Sequence, residues 1–204
     1  MGPTIELDDR PFGKEDLSVL GLGAGGTYET VVLDDTLLPK PLGLHVTSCG
    51  LFLTIYLPSR AFGSTGSGDL MFVSIPSYGD VGLFTESLTD TPVTDAVDRS
   101  FGRSTYPRLP GLPGLLVEVA AVEEGTITDA RGEVEVRHLF LKPLRSLVPS
   151  AGWTPICRAH AQLVEAAIAL TRGESQTASR LLKNAQGTAP YSLREALGLM
   201  ENLI

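Results

Sequence analysis

YETVVL (residues 28–33), KPLGLHV (40–46) and LFLTIYLPSR (51–60) follow one another across short turns, and the run ends in the glycine- and serine-rich AFGSTGSG (61–68). Each piece is short, rich in apolar and β-branched residues and bounded by turn formers, which is the pattern of antiparallel strands. A hydroxyl- and glycine-rich loop directly after a strand can turn backbone N–H groups toward an anion, so a binding site is expected here too.

Further along, LLVEVAAV (115–122) reads as a strand, and after a turn-like region over 124–132 the segment EVEVRHLFL (133–141) alternates. Val134, Val136, His138 and Phe140 then share one face and Glu133, Glu135 and Arg137 the other, which predicts a half-buried strand with its charged side in water. Between the two strand-rich parts lies 76–114, dense in Gly, Pro, Ser, Thr and Asp, where only VTDAVDRSF (93–101) reads as a helical turn. A segment of that length in a compact domain reads as a lid or an interface segment, with Phe84, Val93, Val97 and Phe101 to bury.

Past Pro143 the period changes. Ile156, Ala159, Leu163, Ala167 and Leu170 recur at helical spacing, with Pro155 in the first turn and Gly173 as the stop. A second helix is predicted over Gln176–Gln186 before Gly187, and a third over Leu193–Leu203, where Ser192 and Glu195 have capping-box spacing. Three short helices cannot each bury an apolar stripe alone, so they are expected to pack on one another and on the β-rich part. Arg158, Glu165 and Arg172 form one polar stripe of the first helix. Such a stripe is ordinarily solvated; packed on the β-rich part, it would make Glu165 the carboxylate that orients an arginine near the site.

The chain has 204 residues, enough for one domain with an appended subdomain, and its 16 Lys and Arg against 24 Asp and Glu give a formal net charge of -8. No basic run is present to neutralise phosphates, so nucleic acid is excluded as the expected partner. No apolar stretch reaches the length of a membrane span and the N-terminus MGPTIELDDR is acidic, so a cytoplasmic location is expected. Cys49 and Cys157 form no C-x-x-C pair, and the three histidines, His45, His138 and His160, gather into no cluster with metal-ligand spacing, so no metal site is expected.

Two glycine motifs fail on context. GLGAGG (21–26) satisfies G-x-G-x-x-G, but that fingerprint needs a helix after it to hold a pyrophosphate, and a strand is predicted instead. GSTGSGD (63–69) lacks the Lys and hydroxyl residue that follow the last glycine of a phosphate-binding P-loop, since Gly68 precedes Asp69 and Leu70. Arg103, Ser104, Thr105, Tyr106 and Arg108 make a further polar cluster whose default reading is a loop. No Ser-His-Asp or Cys-His arrangement stands out, and catalytic residues are unassigned.

The order Glu29-Thr30, Pro41-Leu42-Gly43 and Ser59-Arg60-Ala61-Phe62 resembles a prokaryotic family of flavin-binding proteins, domain-of-unknown-function family 447. EAAIALTR (165–172) is similar to the first C-terminal helix of that family. The resemblance implies a mainly β fold with α, an FMN-binding split β-barrel followed by a small helical subdomain. The division expected from it is an N-terminal arm over 1–27, the barrel over 28–142 and a three-helix subdomain over 143–204. It further implies FMN as cofactor and a homodimer that builds the cofactor site between subunits. Pro41, Leu42 and Gly43 would then run along the flavin ring, with Ser59, Arg60, Ser64 and Thr65 about the phosphate. Two functions follow as expectations: a flavin-dependent oxidoreductase, or a non-enzymatic ligand-binding or interaction module without flavin, toward which the hydroxyl-free Ala61 and Phe62 and the acidic Asp69 point.

Overall fold

The computed structural model of the chain describes residues 6–33, 37–57, 62–80, 96–101, 104–129, 132–150, 152–171 and 173–202. In order, their elements are β1 (Leu7–Pro11), α1 (Glu15–Val19), β2 (Thr27–Leu33), β3 (Pro39–Val46), β4 (Leu51–Tyr56), β5 (Leu70–Ser74), β6 (Val97–Phe101), β7 (Ser104–Arg108), β8 (Gly114–Asp129), β9 (Gly132–Pro149), α2 (Arg158–Thr171), α3 (Ser175–Gln186) and α4 (Arg194–Glu201). Strands β9, β4, β3, β2, β5 and β8 pair antiparallel in that order, and β8 returns to β9 to close a six-stranded barrel. The extra strand β1 pairs with the C-terminal end of β9, Leu7 opposite Pro149, while β6 and β7 form a separate two-stranded ribbon.

Every second strand residue fills the barrel. Leu44 and Val46 of β3, Leu51, Leu53 and Ile55 of β4, Val73 of β5, Val117 of β8 and Leu139 of β9 belong to one buried cluster. Burial of such a side chain is worth about 1.5–3 kcal/mol, so the alternation fixes the register of each pairing. β2 is apolar on both sides because both are covered: Tyr28 and Val32 face the barrel core, whereas Val31 and Leu33 pack outside against Leu109 and Leu112.

The barrel is split at one seam. β2 and β5 are registered at Val31 and Ser74, and beyond that pair residues 155–157 run between the parting chains. Tyr28 bridges Cys157 and Ser77 bridges Pro155, while the Glu29 N–H donates to the Ile156 carbonyl at 2.9 Å and the Ile156 N–H to the Pro76 carbonyl at 3.3 Å. The barrel core continues across this seam into Ala159 and Ala166 of α2, Leu182 and Ala185 of α3 and Leu197 of α4. Among the described residues, no helix is long and apolar enough to cross a membrane.

Several sequence expectations change. The segment expected as an N-terminal arm joins the barrel over residues 6–27, where β1 pairs with β9 and Leu20 and Leu22 lie in the barrel core. The barrel extends past 142, since β9 runs to Pro149. The region 124–132 is mostly ribbon, with β8 and β9 paired out to Asp129 and Gly132. Part of 93–101 is strand β6 and not a helical turn, because Val97–Phe101 finds a partner in Ser104–Arg108; Phe84 and Val93 lie outside the described residues. Pro155 and Ile156 are extended in the seam, so α2 begins at Arg158, and α4 begins at Arg194 after a 3₁₀ turn that contains Ser192. On β9 Val136 is buried and Glu133 and Glu135 are exposed as expected, but further along the core residues are Leu139 and Leu141, in step with Arg137, while His138 and Phe140 point outward.

One buried carboxylate ties the N-terminal segment to the barrel. Asp16 of α1 is fully buried and accepts from the Gly13 N–H at 2.8 Å, from Arg10 Nε at 3.0 Å and from the Ser146 hydroxyl of β9. Burial alone would raise its pKa, but these donors together hold the carboxyl below its ordinary value. Asp16→Asn removes the charge that pairs with Arg10 and replaces one of the two buried acceptor oxygens with an NH2 donor, so it should lower the unfolding free energy in urea by about 3 kcal/mol. Because the folded pKa is depressed, this contribution is complete above the unfolded value of about 3.9 and is lost as pH falls through the lower folded one. The stability of the variant should accordingly fall less steeply than that of the parent below about pH 4, measured as urea midpoint against pH.

Candidate functional site

The residues left on the outer side of β2, β3, β4 and β9 are of another kind: Thr27, Glu29, Gly43, His45, Phe52, Thr54, Tyr56 and His138. Pairing places them side by side, Thr27 opposite His45, Glu29 opposite Gly43, His45 opposite Phe52, Gly43 opposite Thr54 and Thr54 opposite His138. Two adjoining cavities of about 280 and 180 Å³ open on this face and share Gly43, Thr54, Tyr56 and Arg158 as walls. Together they reach the few-hundred-Å³ range of cofactor sites.

The seam delivers one cation of the groove, beside Lys40 of β3. Because residues 155–157 are pinned beside β2, the first residue of α2, Arg158, lies over Glu29, and its Nε donates to Glu29 Oε1 at 2.6 Å. Burial would lower the guanidinium pKa, but the hydrogen bond and charge of Glu29 outweigh it and raise the value. Gly43 leaves room for this arginine: a Cβ there would lie 3.3 Å from Arg158 Nη2 and 3.5 Å from Thr27 Cγ2.

Beside the arginine lies an aromatic and imidazole wall. The His45 ring stacks on Phe52 with centroids 4.4 Å apart, and His138 meets Phe52 edge-on at 5.4 Å. A chain of hydrogen bonds, each 3.1 Å, runs from Thr27 Oγ1 to His45 Nδ1, from His45 Nε2 to Thr54 Oγ1 and from Thr54 Oγ1 to His138 Nδ1. Burial first, then the nearby Arg158 and His138, push the His45 pKa down to about 4, so its ring is neutral at pH 7. A neutral imidazole has one donor and one acceptor nitrogen, and the Thr54 hydroxyl has one proton to give, so the donor order of the whole chain is coupled.

Of the residues expected around a cofactor, Pro41, Leu42 and Gly43 line the groove. Ser59 and Arg60 lie outside the described residues, although Tyr56 before them and Phe62 after them both line it. Ser64 and Thr65 line neither cavity. The loop that holds them is closed on itself: the Thr65 N–H donates to the Phe62 carbonyl, the Gly66 N–H to Asp69 Oδ2 at 2.7 Å, and the Gly68 N–H to the Val119 carbonyl. Three backbone N–H donors of this loop are thus engaged within the protein, and Asp69 brings a negative charge to the same turn. Arg137 of β9 holds the loop in place through the Phe62 and Gly63 carbonyls at 3.3 and 3.0 Å.

Glu165 is exposed, and the carboxylate that orients an arginine is Glu29 instead. His45, Thr54, Tyr56, His138 and Arg158 join the groove without having been singled out as site residues. The shared parity of 41, 43 and 45 with 52, 54 and 56 was a readable signal for the strand members; the partnership of Arg158 with Glu29 had none. Among the described residues no three His, Cys, Asp or Glu side chains gather as a metal site.

No protein-family model and no curated protein sequence matches the chain. Its structure is similar to the crystal structure of an FMN-bound protein from Methanosarcina mazei, of domain-of-unknown-function family 447. The TM-score is 0.50 at 14% sequence identity, over 92% of this chain and 100% of that one. What this likeness establishes is the fold: the chain is a split β-barrel with C-terminal helices, as the sequence resemblance implied.

The state of His45 gives a direct test of the groove. Its folded pKa of about 4 lies below the ordinary 6.5, so between these values the unfolded chain binds the extra proton. Stability should therefore drop as pH falls from 6.5 toward 4, and His45→Gln should remove part of that slope. An NMR titration of the imidazole should show the midpoint near pH 4.

Proposed function

We propose that this protein binds FMN in the groove between β3, β4 and α2. The observation that carries the reading is Gly43, whose missing side chain keeps the floor of the groove open directly beside the Arg158–Glu29 pair. The donor set suits a flavin. The backbone of Pro41 to Gly43 and the His45–Phe52 stack offer a flat wall to a planar ring, and Arg158 is a cation whose orientation Glu29 already fixes. Arg60 is a candidate for the phosphate, since the chain on either side of it, at Tyr56 and Phe62, borders the groove, and Lys40 is a further cation in the groove lining. Once bound, FMN would supply hydride or electron transfer. The chain itself supplies the hydrogen-bonded His45–Thr54–His138 series, which can hold a proton at Thr54 Oγ1, and the β8–β9 ribbon, whose Ile127 screens one side of the groove.

A homodimer belongs to the same proposal. Phe52 and Phe140, with centroids 5.7 Å apart, and the half-exposed Tyr56 project outward from the barrel and form a surface suited to a second copy. Light scattering should give twice the 21.7 kDa chain mass at micromolar concentration, and Phe140→Asp should return the single-chain value.

The second reading, a flavin-free interaction module, draws on one observation: the 62–69 turn spends its N–H groups internally and carries Asp69. Titration of FMN and riboflavin, followed by absorbance and fluorescence, separates the two. FMN should bind the parent chain, and Gly43→Val should abolish binding of both flavins by filling the floor. Arg60→Ala should weaken FMN by about 1.5–3 kcal/mol and leave riboflavin unchanged. Equal losses of both flavins in Arg60→Ala would take Arg60 away from the phosphate, and failure of the parent to bind either flavin would leave the interaction module.

A further inference from the structure

A second charged cluster lies on a different wall of the barrel, where the β6–β7 ribbon covers the outer face of β5. Register pairs Arg99 with Tyr106 and Val97 with Arg108, so Arg99, Tyr106 and Arg108 share one face of the ribbon, with the two arginines on the diagonal. Tyr106 stacks on Phe72 of β5 with ring centroids 6.1 Å apart and planes 7° from parallel. The Arg108 guanidinium sits over the same Phe72 ring at 5.5 Å. That contact satisfies the face of the guanidinium and leaves its in-plane N–H donors to find other partners. Arg108 Nε is buried and has no hydrogen-bond partner, the one such side-chain atom among the described residues. A buried charged donor without an acceptor is destabilising by itself and points to an acceptor supplied from outside the chain.

Charge in the cluster is also unbalanced. Arg145 of β9 is engaged by Asp9, with Nε to Oδ1 at 2.9 Å and Nη2 to the Asp9 carbonyl at 3.2 Å, and the Asp9 charge also reaches Arg108, so one carboxylate is shared between two of the cluster's arginines. Arg99 and Arg108 remain as two cations near one another in a chain of net charge -8. Burial, then the charge of Arg99, lowers the Arg108 pKa, and the opposing effects of Tyr106 and Asp9 do not offset them.

We propose that Arg99, Arg108 and the Tyr106 hydroxyl form a binding site for a tetrahedral oxyanion, inorganic phosphate or a phosphate monoester, separate from the groove at Gly43. Two guanidinium charges match a dianion, and guanidinium edges with a phenolic O–H provide the convergent donors that phosphoryl oxygens accept. The site stands whether or not flavin binds, because it uses none of the groove residues.

The test is titration of inorganic phosphate into the full chain at constant ionic strength, with chloride as the exchanged salt, while the Arg108 Nε–H resonance and the thermal midpoint are followed. The expected result is a saturable shift of that resonance together with a rise in the midpoint. Arg99→Gln, at an exposed position, should weaken phosphate by about tenfold or more, and Tyr106→Phe by a smaller factor. A parallel titration with glycerol 3-phosphate assigns the source: tighter binding of the ester marks a monoester site, tighter binding of phosphate a site for the free ion. An Arg108 resonance that moves equally with chloride, or an unchanged phosphate affinity in Arg99→Gln, would overturn the proposal. Flavin titrations in Arg99→Gln should match the parent in either case, which keeps this result distinct from the fate of the groove.

Discussion

Residues 155–157 wedged into the open seam of the barrel are the constraint on which the rest of this structure depends. A closed barrel satisfies its backbone through its own ladder, but here β2 and β5 separate after Val31 and Ser74, which would leave buried edge groups without partners. The inserted segment supplies them through Glu29, Ile156 and Pro76. It also fixes where α2 starts, so the helices inherit their position from a backbone repair. Small residues finish the junction: Ala159 and Ala166 are buried against the barrel, where larger side chains would hold the helix away.

The Glu29–Arg158 pair follows from that insertion and connects fold to chemistry. Both residues keep part of their side chains in solvent, at 26% and 35% exposure, so the pair adds little to stability. Its effect is orientation. An arginine at a helix start is otherwise free to sample solvent, whereas here one nitrogen is bound to Glu29 and another is held over Gly43. The neutral His45 is compatible with this neighbour because an imidazolium so close to Arg158 would be repelled, and burial acts in the same direction.

The outer surface thus carries two separate polar clusters. The wall of β3, β4 and β9 carries a groove with an oriented cation and stacked rings. The wall of β5 carries Arg99 and Arg108, near a carboxylate, Asp9, that is also engaged by Arg145, and Arg108 has a buried donor lacking a partner. The 62–69 turn lies between β4 and β5 and has its own hydrogen bonds in order, stapled by Asp69 within and Arg137 from outside. That turn behaves as structure, and Phe62 is the part of it that reaches the groove.

How much of this was legible in the chain can be judged residue by residue. Short alternating runs at 28–33, 40–46 and 51–56 determined strands, because only period two lets Leu44, Leu53 and Ile55 enter a core while their neighbours stay outside. The helical period after Pro155 determined the three C-terminal helices in the same way. Sequence also singled out Pro41 to Gly43, which line the groove. It could not decide which face of β9 was inside: Val136, His138 and Phe140 are more apolar than Glu133, Glu135 and Arg137, yet the ribbon leaves the barrel before those charges matter, and Leu139 and Leu141 take the core. Nor could it read N–H accounting in a glycine loop, since whether Gly66 faces an anion or Asp69 depends on the fold of the turn. The meeting of Arg158 with Glu29 was decided by tertiary structure alone, because two residues so far apart in the chain become neighbours through a seam that no local pattern encodes.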